Sequence, residues 1–363
     1  MNSAPLPSVS TPGVMTSLER VLTVLRREEP DRVPHFEWVH DPGVTAALTG
    51  GGTYWDLIDR LDIDAVMVAP GYRKQPLGDG ALLDEWGITR IVAPDGYAMV
   101  VEDRTPIRDE ASFAAWRPPD PDDAYRYEPI RRTVERFGGR RAIILQMRDV
   151  FSGVRDCMGY ERALVSLIEQ PALVTAVVEQ CVDHYIRVIQ RAAPLGVNIV
   201  FTGDDIANAR GPLFSPRLWQ KLLLPHYRRL VAAIHDAGLY HWKHSDGNLM
   251  PLMDMLVEAG IDAIDPVDPL GGMDLATVKR RWGERIAVKG NVDCVHVLTR
   301  GSRHDVVEAV KACLRAAAPG GGYVCSSSNS IHLGVDPGLY RTMLDAIRRY
   351  GAYPLDMDSL AAA

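Results

Sequence analysis

Three residues able to bind a metal ion or to move protons lie close together in the segment HWKHSDGNL, at positions 241–249. They are His241, His244 and Asp246. Side chains two positions apart on an extended chain point to the same face, so His244 and Asp246 would share a face that His241 does not. This pattern fits ligands of one metal ion, with zinc the best match, or a histidine hydrogen-bonded to its carboxylate.

Further polar residues stand where apolar segments end. The segments RAIILQM, VNIVFTG, IDAIDPV, IAVKGNV and GGYVCSS are typical of buried strands. Glu37 is on the earlier segment VPHFEWV. The polar residues at or near the ends of the other segments are Gln146, Arg148, Asp204, Asp205, Asp265, Asn291, Cys325 and Asn329. A single acid at such a position is often only a helix N-cap, but so many polar strand ends together predict a shared site.

The elements that would position these residues alternate regularly between strand and helix. This alternation predicts a parallel sheet with right-handed crossovers, and about eight strand candidates favour a (β/α)8 barrel over an open sheet. The segment WGITRIVAPDGYAMVVED predicts a β-hairpin with its turn at Pro94-Asp95-Gly96. We therefore predict an α/β fold, with a disordered tail at 1–14 and one TIM barrel at 15–355 that carries an N-terminal helical and hairpin extension. The carboxyl ends of the barrel strands would face one cavity.

The composition excludes several classes of protein. The 363 residues are 47% hydrophobic and 24% charged, which is ordinary for a globular enzyme, and the net charge is −7. No cluster of basic and aromatic residues predicts nucleic-acid binding, and no apolar run is long enough to cross a membrane. The five cysteines are scattered, which predicts no disulfide framework and favours a cytoplasmic location.

Several segments resemble the uroporphyrinogen decarboxylase superfamily. In chain order between 15 and 350 they are MTSLERVLTVLRREEPDRVP, GDDIANARGPLFSPRLWQKLLLPHYRRLVAAIHDAG, HSDGNL, AGIDAID, KGNVD and GGYVCSSSNSIHLGVDP. The resemblance implies a single (β/α)8 barrel, in agreement with the pattern of elements. It also implies a homodimer.

The heme-pathway decarboxylases of this superfamily differ from the chain at three places. They carry an arginine-rich segment after the first strand, where this chain reads HFEWVHDPG without arginine. They carry an Asp near the end of the second strand, which here reads VMVAPGY, and GHG after the last strand, where Asn329 takes the histidine position. These departures argue against uroporphyrinogen as the substrate.

The cobalamin- and coenzyme-M-dependent methyltransferases of the superfamily resemble the chain at HSDGN. Their zinc ligands there are His-x-Cys, so His244 is retained and Asp246 takes the place of the cysteine. Their second cysteine falls near Asn329, and Cys325 lies four residues earlier. The resemblance implies an oxygen-richer site, which suits the polarisation of an ether oxygen. This ligand pattern is similar to that of demethylases that act on methoxylated compounds and pass the methyl group to a corrinoid protein.

Our first hypothesis is a metal-dependent methyltransferase acting on a small substrate, with zinc held by His244, Asp246 and Cys325 and the corrinoid on a separate protein. His244 and one of Asp204 and Asp205 would be catalytic, the acid protonating the leaving oxygen. Arg148 would anchor a substrate carboxylate. The remaining expected substrate contacts are Glu37, Gln146, Trp242, Asn291 and Asn329.

Two alternatives stay open from the residues. The first is a metal-free carboxy-lyase in which His244 acts as a general acid held by Asp246 and Arg148 binds the acid substrate. The second is a ligand-binding protein without activity. Its weakness is the number of acids at the strand ends, because clustered carboxylates are costly without a cation or a reaction to serve.

Overall fold

The computed structural model describes residues 14–38, 40–78, 80–92 and 98–361. Most of the predicted disordered tail and the predicted hairpin turn at 94–96 lie outside these residues. The strands are β1 (Ala65–Val68), β2 (Lys74–Pro76), β3 (Ala81–Asp84), β4 (Thr89–Val92), β5 (Ala98–Val100), β6 (Ala142–Arg148), β7 (Ile199–Gly203), β8 (Ala207–Asn208), β9 (Gly211–Pro212), β10 (Tyr240–His244), β11 (Ala263–Asp265), β12 (Ala287–Val292) and β13 (Tyr323–Ser327).

The helices cover the outside of the sheet and the two chain ends. They are α1 (Ser17–Leu25), α2 (Pro42–Thr49), α3 (Tyr54–Arg60), α4 (Glu110–Ala115), α5 (Glu128–Phe137), α6 (Val150–Met158), α7 (Tyr160–Glu169), α8 (Pro171–Ala192), α9 (Pro216–Leu218), α10 (Leu224–Asp236), α11 (Met253–Glu258), α12 (Leu275–Trp282), α13 (Val297–Arg300), α14 (Arg303–Ala317), α15 (Pro337–Tyr350) and α16 (Met357–Ala361). In the described part of the chain, no helix is both long and apolar enough to cross a bilayer.

Seven strands form one curled parallel sheet in the order β1-β6-β7-β10-β11-β12-β13. The segment at 33–38, predicted as the first strand, lies between the two ends of this sheet. Pro34 O accepts a hydrogen bond from Cys325 N on β13 at 3.1 Å, and His35 O accepts one from Asp64 N, next to β1, at 3.0 Å. Proline has no N–H to donate to a ladder, so the segment is extended without being a regular strand. The predicted α/β barrel is confirmed, with this segment in the eighth position.

The hairpin part of the predicted extension is placed differently from our expectation. Strands β4 and β5 do pair antiparallel, but they belong to a four-stranded antiparallel sheet, β2-β3-β4-β5, inserted between β1 and β6. Helices α1, α2 and α3 precede β1 and form the N-terminal part. The extension is therefore partly an insertion after the first regular strand, which sequence periodicity could not distinguish from a leading domain.

The register of the sheet places four residues in one row at the carboxyl ends of neighbouring strands. Arg148 pairs with Gly203, Gly203 with His244, and His244 with Asp265. Paired residues of parallel strands point to the same side, so this whole row faces the barrel interior. Below the row the interior is closed by aromatic packing such as the edge-to-face contact of Phe36 and Trp242, with ring centroids 5.1 Å apart.

Candidate metal centre

Three of the predicted residues meet at the carboxyl ends of β7 and β10. His244 ends β10, Asp246 follows it by two residues, and Asp205 follows the end of β7. His244 Nε2 lies 3.7 Å from Asp205 Oδ1 and 3.8 Å from Asp246 Oδ1. One ligand atom of each residue lies within 4.8 Å of the others, a spacing that one metal ion can span.

The second nitrogen of His244 is held from below. His244 Nδ1 lies 2.7 Å from Asp265 Oδ2, and the other oxygen of Asp265 accepts a hydrogen bond from the buried Lys289 ammonium. Burial alone would lower the pKa of His244, but the hydrogen bond with Asp265 and the surrounding carboxylates raise it above its ordinary value. Burial opposes ionisation of Asp265, yet the charge of Lys289 keeps the pKa of that carboxyl low. Asp265 therefore orients the ring and directs Nε2 toward the two other acids.

We name these five residues the inner cluster: Asp205, His244, Asp246, Asp265 and Lys289. His244 Nε2 and Asp246 Oδ1 are buried and have no hydrogen-bond partner within the described chain. With a neutral imidazole, three carboxylates against one ammonium leave two negative charges without compensation. The cost of this surplus is greatest at Asp265 and at the buried Oδ1 of Asp246, because Asp205 is partly exposed, and a divalent cation would cancel it. The donor set of the inner cluster therefore fits a divalent metal ion held by Asp205, His244 and Asp246.

The surroundings of the inner cluster are aromatic on one side and polar on the other. The ring of Trp38 lies 4.2 Å from that of His244, and the ring of Phe201 lies 5.4 Å from it, measured between centroids. Asn329, expected as a substrate contact, instead donates from Nδ2 to Asp246 Oδ2 at 2.6 Å. Burial raises the pKa of Asp246 to about 6, and the Asn329 bond works against that shift. Asn329 thus orients one oxygen of Asp246 and leaves the other free.

Two more predicted residues face the barrel interior on β6. Gln146 pairs in register with Phe201 and Arg148 with Gly203, so both point to the side that carries His244. Arg148 forms an ion pair with Asp156 at 3.1 Å, and its side chain is 42% exposed. Arg148 is in the row of His244 and Gln146 is one row deeper, and their role as substrate contacts stays a prediction.

Glu37 and Cys325 do not reach the inner cluster. Both Glu37 oxygens accept hydrogen bonds from Ser327, one from its N–H at 2.9 Å and one from its hydroxyl at 2.7 Å. Cys325 is fully buried. Its thiol lies beside Tyr323 of the same strand and beside Cys313 of the outer helix α14. Neighbouring residues of a strand alternate in direction, and both of these point away from the barrel interior. The expectation that Cys325 is a metal ligand, and Glu37 a substrate contact, was wrong.

Trp242 and Asn291 are also displaced from their expected roles. Trp242 has no exposed surface and packs on Phe36 beneath the site, so it is a core residue rather than a substrate contact. Asn291 donates to Val267 O at 2.8 Å and faces the thiol of Cys313 on α14. Trp242 faces the barrel interior but lies one row below His244, whereas the Asn291 side chain points toward α14.

Asp204 is turned away from its neighbour Asp205. Its Oδ2 accepts a hydrogen bond from Phe151 N at the start of α6, at 2.8 Å, and the residue is 1% exposed. Burial raises the pKa of Asp204 to about 7. Asp204 therefore stabilises the start of α6 and is not placed to protonate a substrate, contrary to our expectation.

A second polar group lies behind the strands, between the barrel wall and the helices. We name it the outer network: Asp149, Thr202, His241 and Lys243. Lys243 Nζ lies 2.8 Å from Asp149 Oδ2, Thr202 donates to the same oxygen at 2.8 Å, and His241 Nε2 lies 3.0 Å from the Thr202 hydroxyl. His241 thus lies on the opposite face from His244, as the spacing predicts.

The residues that sequence reasoning missed are those that support the ligands. Asp265 stood among the polar strand ends but was given no role, and Lys289, Phe201 and Gly203 were not considered. One signal was present: a lysine inside IAVKGNV, an otherwise apolar strand, needs a buried acid as its partner.

Known proteins of two kinds are similar to this chain. Uroporphyrinogen decarboxylase from Thioalkalivibrio sulfidiphilus is 22% identical over 376 residues, covering 92% of this chain and 98% of the relative. Methylcobamide:CoM methyltransferase MtbA from Methanosarcina acetivorans is 25% identical over 187 residues, covering 52% of this chain and 53% of the relative.

A solved structure has the same fold. The methyltransferase from Methanosarcina mazei superposes with a TM-score of 0.71 at 16% identity, covering 93% of this chain and 99% of that one. The family model described as uroporphyrinogen decarboxylase (URO-D) matches residues 92–350. The predicted family is confirmed: the chain belongs to the uroporphyrinogen decarboxylase family of enzymes.

Proposed function

We propose that this chain is a zinc-dependent methyltransferase that removes a methyl group from a small methoxylated substrate and passes it to a corrinoid on a separate protein. The observation that carries the proposal is the convergence of two buried atoms without partners, His244 Nε2 and Asp246 Oδ1, on the Asp205 carboxylate. The similarity to a relative named as a methylcobamide:CoM methyltransferase supports it. When bound, zinc would act as a Lewis acid toward the substrate oxygen.

The residues of the inner cluster prepare this site in distinct ways. Asp265 accepts the Nδ1 proton of His244, which leaves the lone pair on Nε2. Asp205 accepts a hydrogen bond from Asp246 N at 3.1 Å and its side chain is 46% exposed, which favours the ionised carboxylate that a metal ligand requires. Trp38 covers one side of the His244 ring and excludes water there.

The reaction breaks the bond between the methyl carbon and the substrate oxygen. The reduced corrinoid of the partner protein, as the methyl acceptor, would supply the electron pair of the new bond. The substrate oxygen keeps the pair of the broken bond and takes a proton from solvent. Asp205 is 46% exposed and Asp246 35%, so the site is open toward the barrel mouth, where the substrate and the corrinoid protein would enter.

A carboxy-lyase acting on another carboxylic acid is the second candidate function. It is favoured by the full-length similarity to the uroporphyrinogen decarboxylase from Thioalkalivibrio sulfidiphilus. In that case His244, with Asp265 as its partner, would be the proton donor, and no metal would be required. With His244 protonated as the donor, the inner cluster would still hold one negative charge in excess, which counts against this candidate.

Metal content and methyl transfer together test the proposal. We expect about one zinc ion per purified chain by elemental mass spectrometry, lost in His244→Ala and Asp246→Asn. His296→Ala, which changes a histidine with a 62% exposed side chain, is the matched control and should keep the metal. The proteins that contain zinc should form methylcobalamin from reduced cobalamin and methoxylated aromatic compounds. The variants that lose zinc should lose this activity. A metal-free wild type that releases carbon dioxide from an acid panel would overturn the proposal in favour of the lyase.

A further inference from the structure

Arg148 is a cation at the barrel mouth whose hydrogen-bonding capacity is unused. It forms an ion pair with Asp156 at 3.1 Å, but no acceptor in the described part of the chain takes an aligned hydrogen bond from its guanidinium. Its side chain is 42% exposed, while that of Asp156 is only 6% exposed. An arginine carries five N–H donors in a planar fork, so most donors of this partly exposed guanidinium have no aligned acceptor among the described residues.

Asp156 does not depend on Arg148 for its own partners. Arg90 donates to Asp156 Oδ2 at 2.9 Å and Arg155 donates to Asp156 Oδ1 at 3.3 Å. Arg90 also reaches Asp84 at 3.3 Å. Asp156 therefore keeps two guanidinium partners without Arg148. Anchoring Asp156 therefore does not explain why Arg148 is present.

Arg148 and His244 face the same space across a glycine. Both pair in register with Gly203 on the strand between them, so their Cα atoms lie two strand spacings apart, about 10 Å. A Cβ placed on Gly203 would come within 4 Å of only one atom, Trp38 Cζ2, at 3.7 Å. Because Gly203 has no side chain, only the Trp38 ring contacts this part of the barrel wall between Arg148 and the inner cluster.

We infer that the substrate is an anion whose head group, a carboxylate or a sulfonate, binds Arg148 while its reacting oxygen lies at the inner cluster. This assignment rests on the proposed function, because it takes the inner cluster as the reacting end. The planar fork of Arg148 matches two oxygens of such a head group, which a lysine could not do in the same way. Gly203 sets the length of substrate that fits between the two ends.

Isothermal titration of the full chain with three matched probes tests this inference without any methyl acceptor. The probes are para-methoxybenzoate, para-methoxybenzenesulfonate and the neutral para-methoxybenzamide. Charge-assisted hydrogen bonds predict that at least one of the two anions binds about 10- to 100-fold more tightly than the amide. The tighter anion identifies the head group as a carboxylate or a sulfonate.

The variants separate the roles of charge, geometry and space. Arg148→Gln should remove the preference for the anion, Arg148→Lys should keep only part of it, and Gly203→Val should weaken all three probes by placing a side chain between Arg148 and the inner cluster. Arg228→Gln, which removes a charge from the exposed face of α10, is the matched control and should change nothing.

The inference would be overturned if the amide bound as tightly as both anions, or if the preference for the anion survived in Arg148→Gln. Failure of wild type to bind either anion at millimolar concentration would overturn it as well. These results are independent of the proposed function. Loss of methyl transfer with an intact preference for the anion would refute the methyltransferase alone, and transfer from neutral substrates with no such preference would refute the Arg148 site alone.

Discussion

Strand β10 contributes to two buried polar groups on opposite sides of the barrel wall, and the two are built differently. In the outer network, one ammonium faces one carboxylate, because Lys243 lies 2.8 Å from Asp149. In the inner cluster, three carboxylates face the ammonium of Lys289, and two buried atoms have no hydrogen-bond partner among the described residues. The balanced group is suited to stability, and the unbalanced group is suited to a cation.

An unpartnered atom alone does not identify a functional site. His241 Nδ1 in the outer network also lacks a partner in the described chain. Burial lowers the pKa of His241 to about 4, so this ring is neutral and the cost of its lone nitrogen is small. The inner cluster differs because its unpartnered atoms converge and carry surplus charge. Convergence and charge together, rather than burial, mark the metal centre.

Removing the lysine of each group should give the largest difference between them. Lys243→Met leaves Asp149 as a buried charge without its cation, so we expect a loss of about 3–5 kcal/mol in the free energy of unfolding. Lys289→Met should cost less, about 1–3 kcal/mol, because His244 remains as a partner of Asp265. Urea unfolding of the metal-free proteins measures both values. Equal losses would show that the two groups are energetically alike and would break the comparison.

A buried acid whose burial outweighs the charge of the nearby Lys289 should make stability depend on pH. Burial raises the pKa of Glu37 from its usual range to about 7. Between pH 4.5 and 7 the folded protein holds a proton that the unfolded chain has lost, so the stability contributed by this group falls as the pH rises. Over the whole window the loss is on the order of 3 kcal/mol.

Glu37→Gln removes this titration and should flatten the dependence. Urea unfolding at pH 5 and pH 8 compares the variant with wild type, and Glu284→Gln on the exposed surface is the control. Wild type should lose more stability than Glu37→Gln between the two pH values. An unchanged slope would mean that Glu37 is ionised in the fold and that Ser327 alone compensates its charge.

The support beneath His244 should matter for metal affinity more than for folding. Asp265→Asn removes the carboxylate that orients the ring, and such supporting partners typically account for a 10- to 100-fold change in metal affinity. Competition with a chromophoric chelator measures the zinc dissociation constant. Asp262→Asn is the control, because Asp262 pairs with the surface residue His235 at 2.9 Å. An affinity unchanged by Asp265→Asn would remove His244 from the proposed ligand set.

The fold was readable from the sequence because the apolar segments and helical patterns alternate over most of the chain. Two features were not readable. The proline at 34 interrupts a ladder that the pattern VPHFEWV predicts, and the antiparallel sheet is inserted after β1 rather than placed before the barrel. Both features depend on backbone hydrogen bonds between residues that are distant in the sequence. Local residue patterns do not predict such hydrogen bonds.

The candidate site was readable only as a set of strand ends. The spacing of His244 and Asp246 predicts that both side chains point to the same face. In the structure Asp205 lies beside them. The spacing could not predict which of the adjacent acids Asp204 and Asp205 points inward, or that Cys325 points outward. The direction of a side chain at a strand end depends on the register with neighbouring strands, and a change of one residue reverses it.

The smallest effect should come from the amide that holds Asp246. Asn329→Ala removes one hydrogen bond to Asp246 Oδ2 and leaves Oδ1 in place, so we expect zinc affinity to fall about fivefold, equivalent to about 1 kcal/mol. Asn291→Ala is the matched control, because Asn291 also stands at a strand end but donates to Val267 O. Chelator competition should show no change for Asn291→Ala. An equal loss of zinc affinity in both variants would mean that amides at the strand ends act through the stability of the fold. The hydrogen bond from Asn329 to Asp246 would then not distinguish a residue of the metal centre from one that only stabilises the barrel wall.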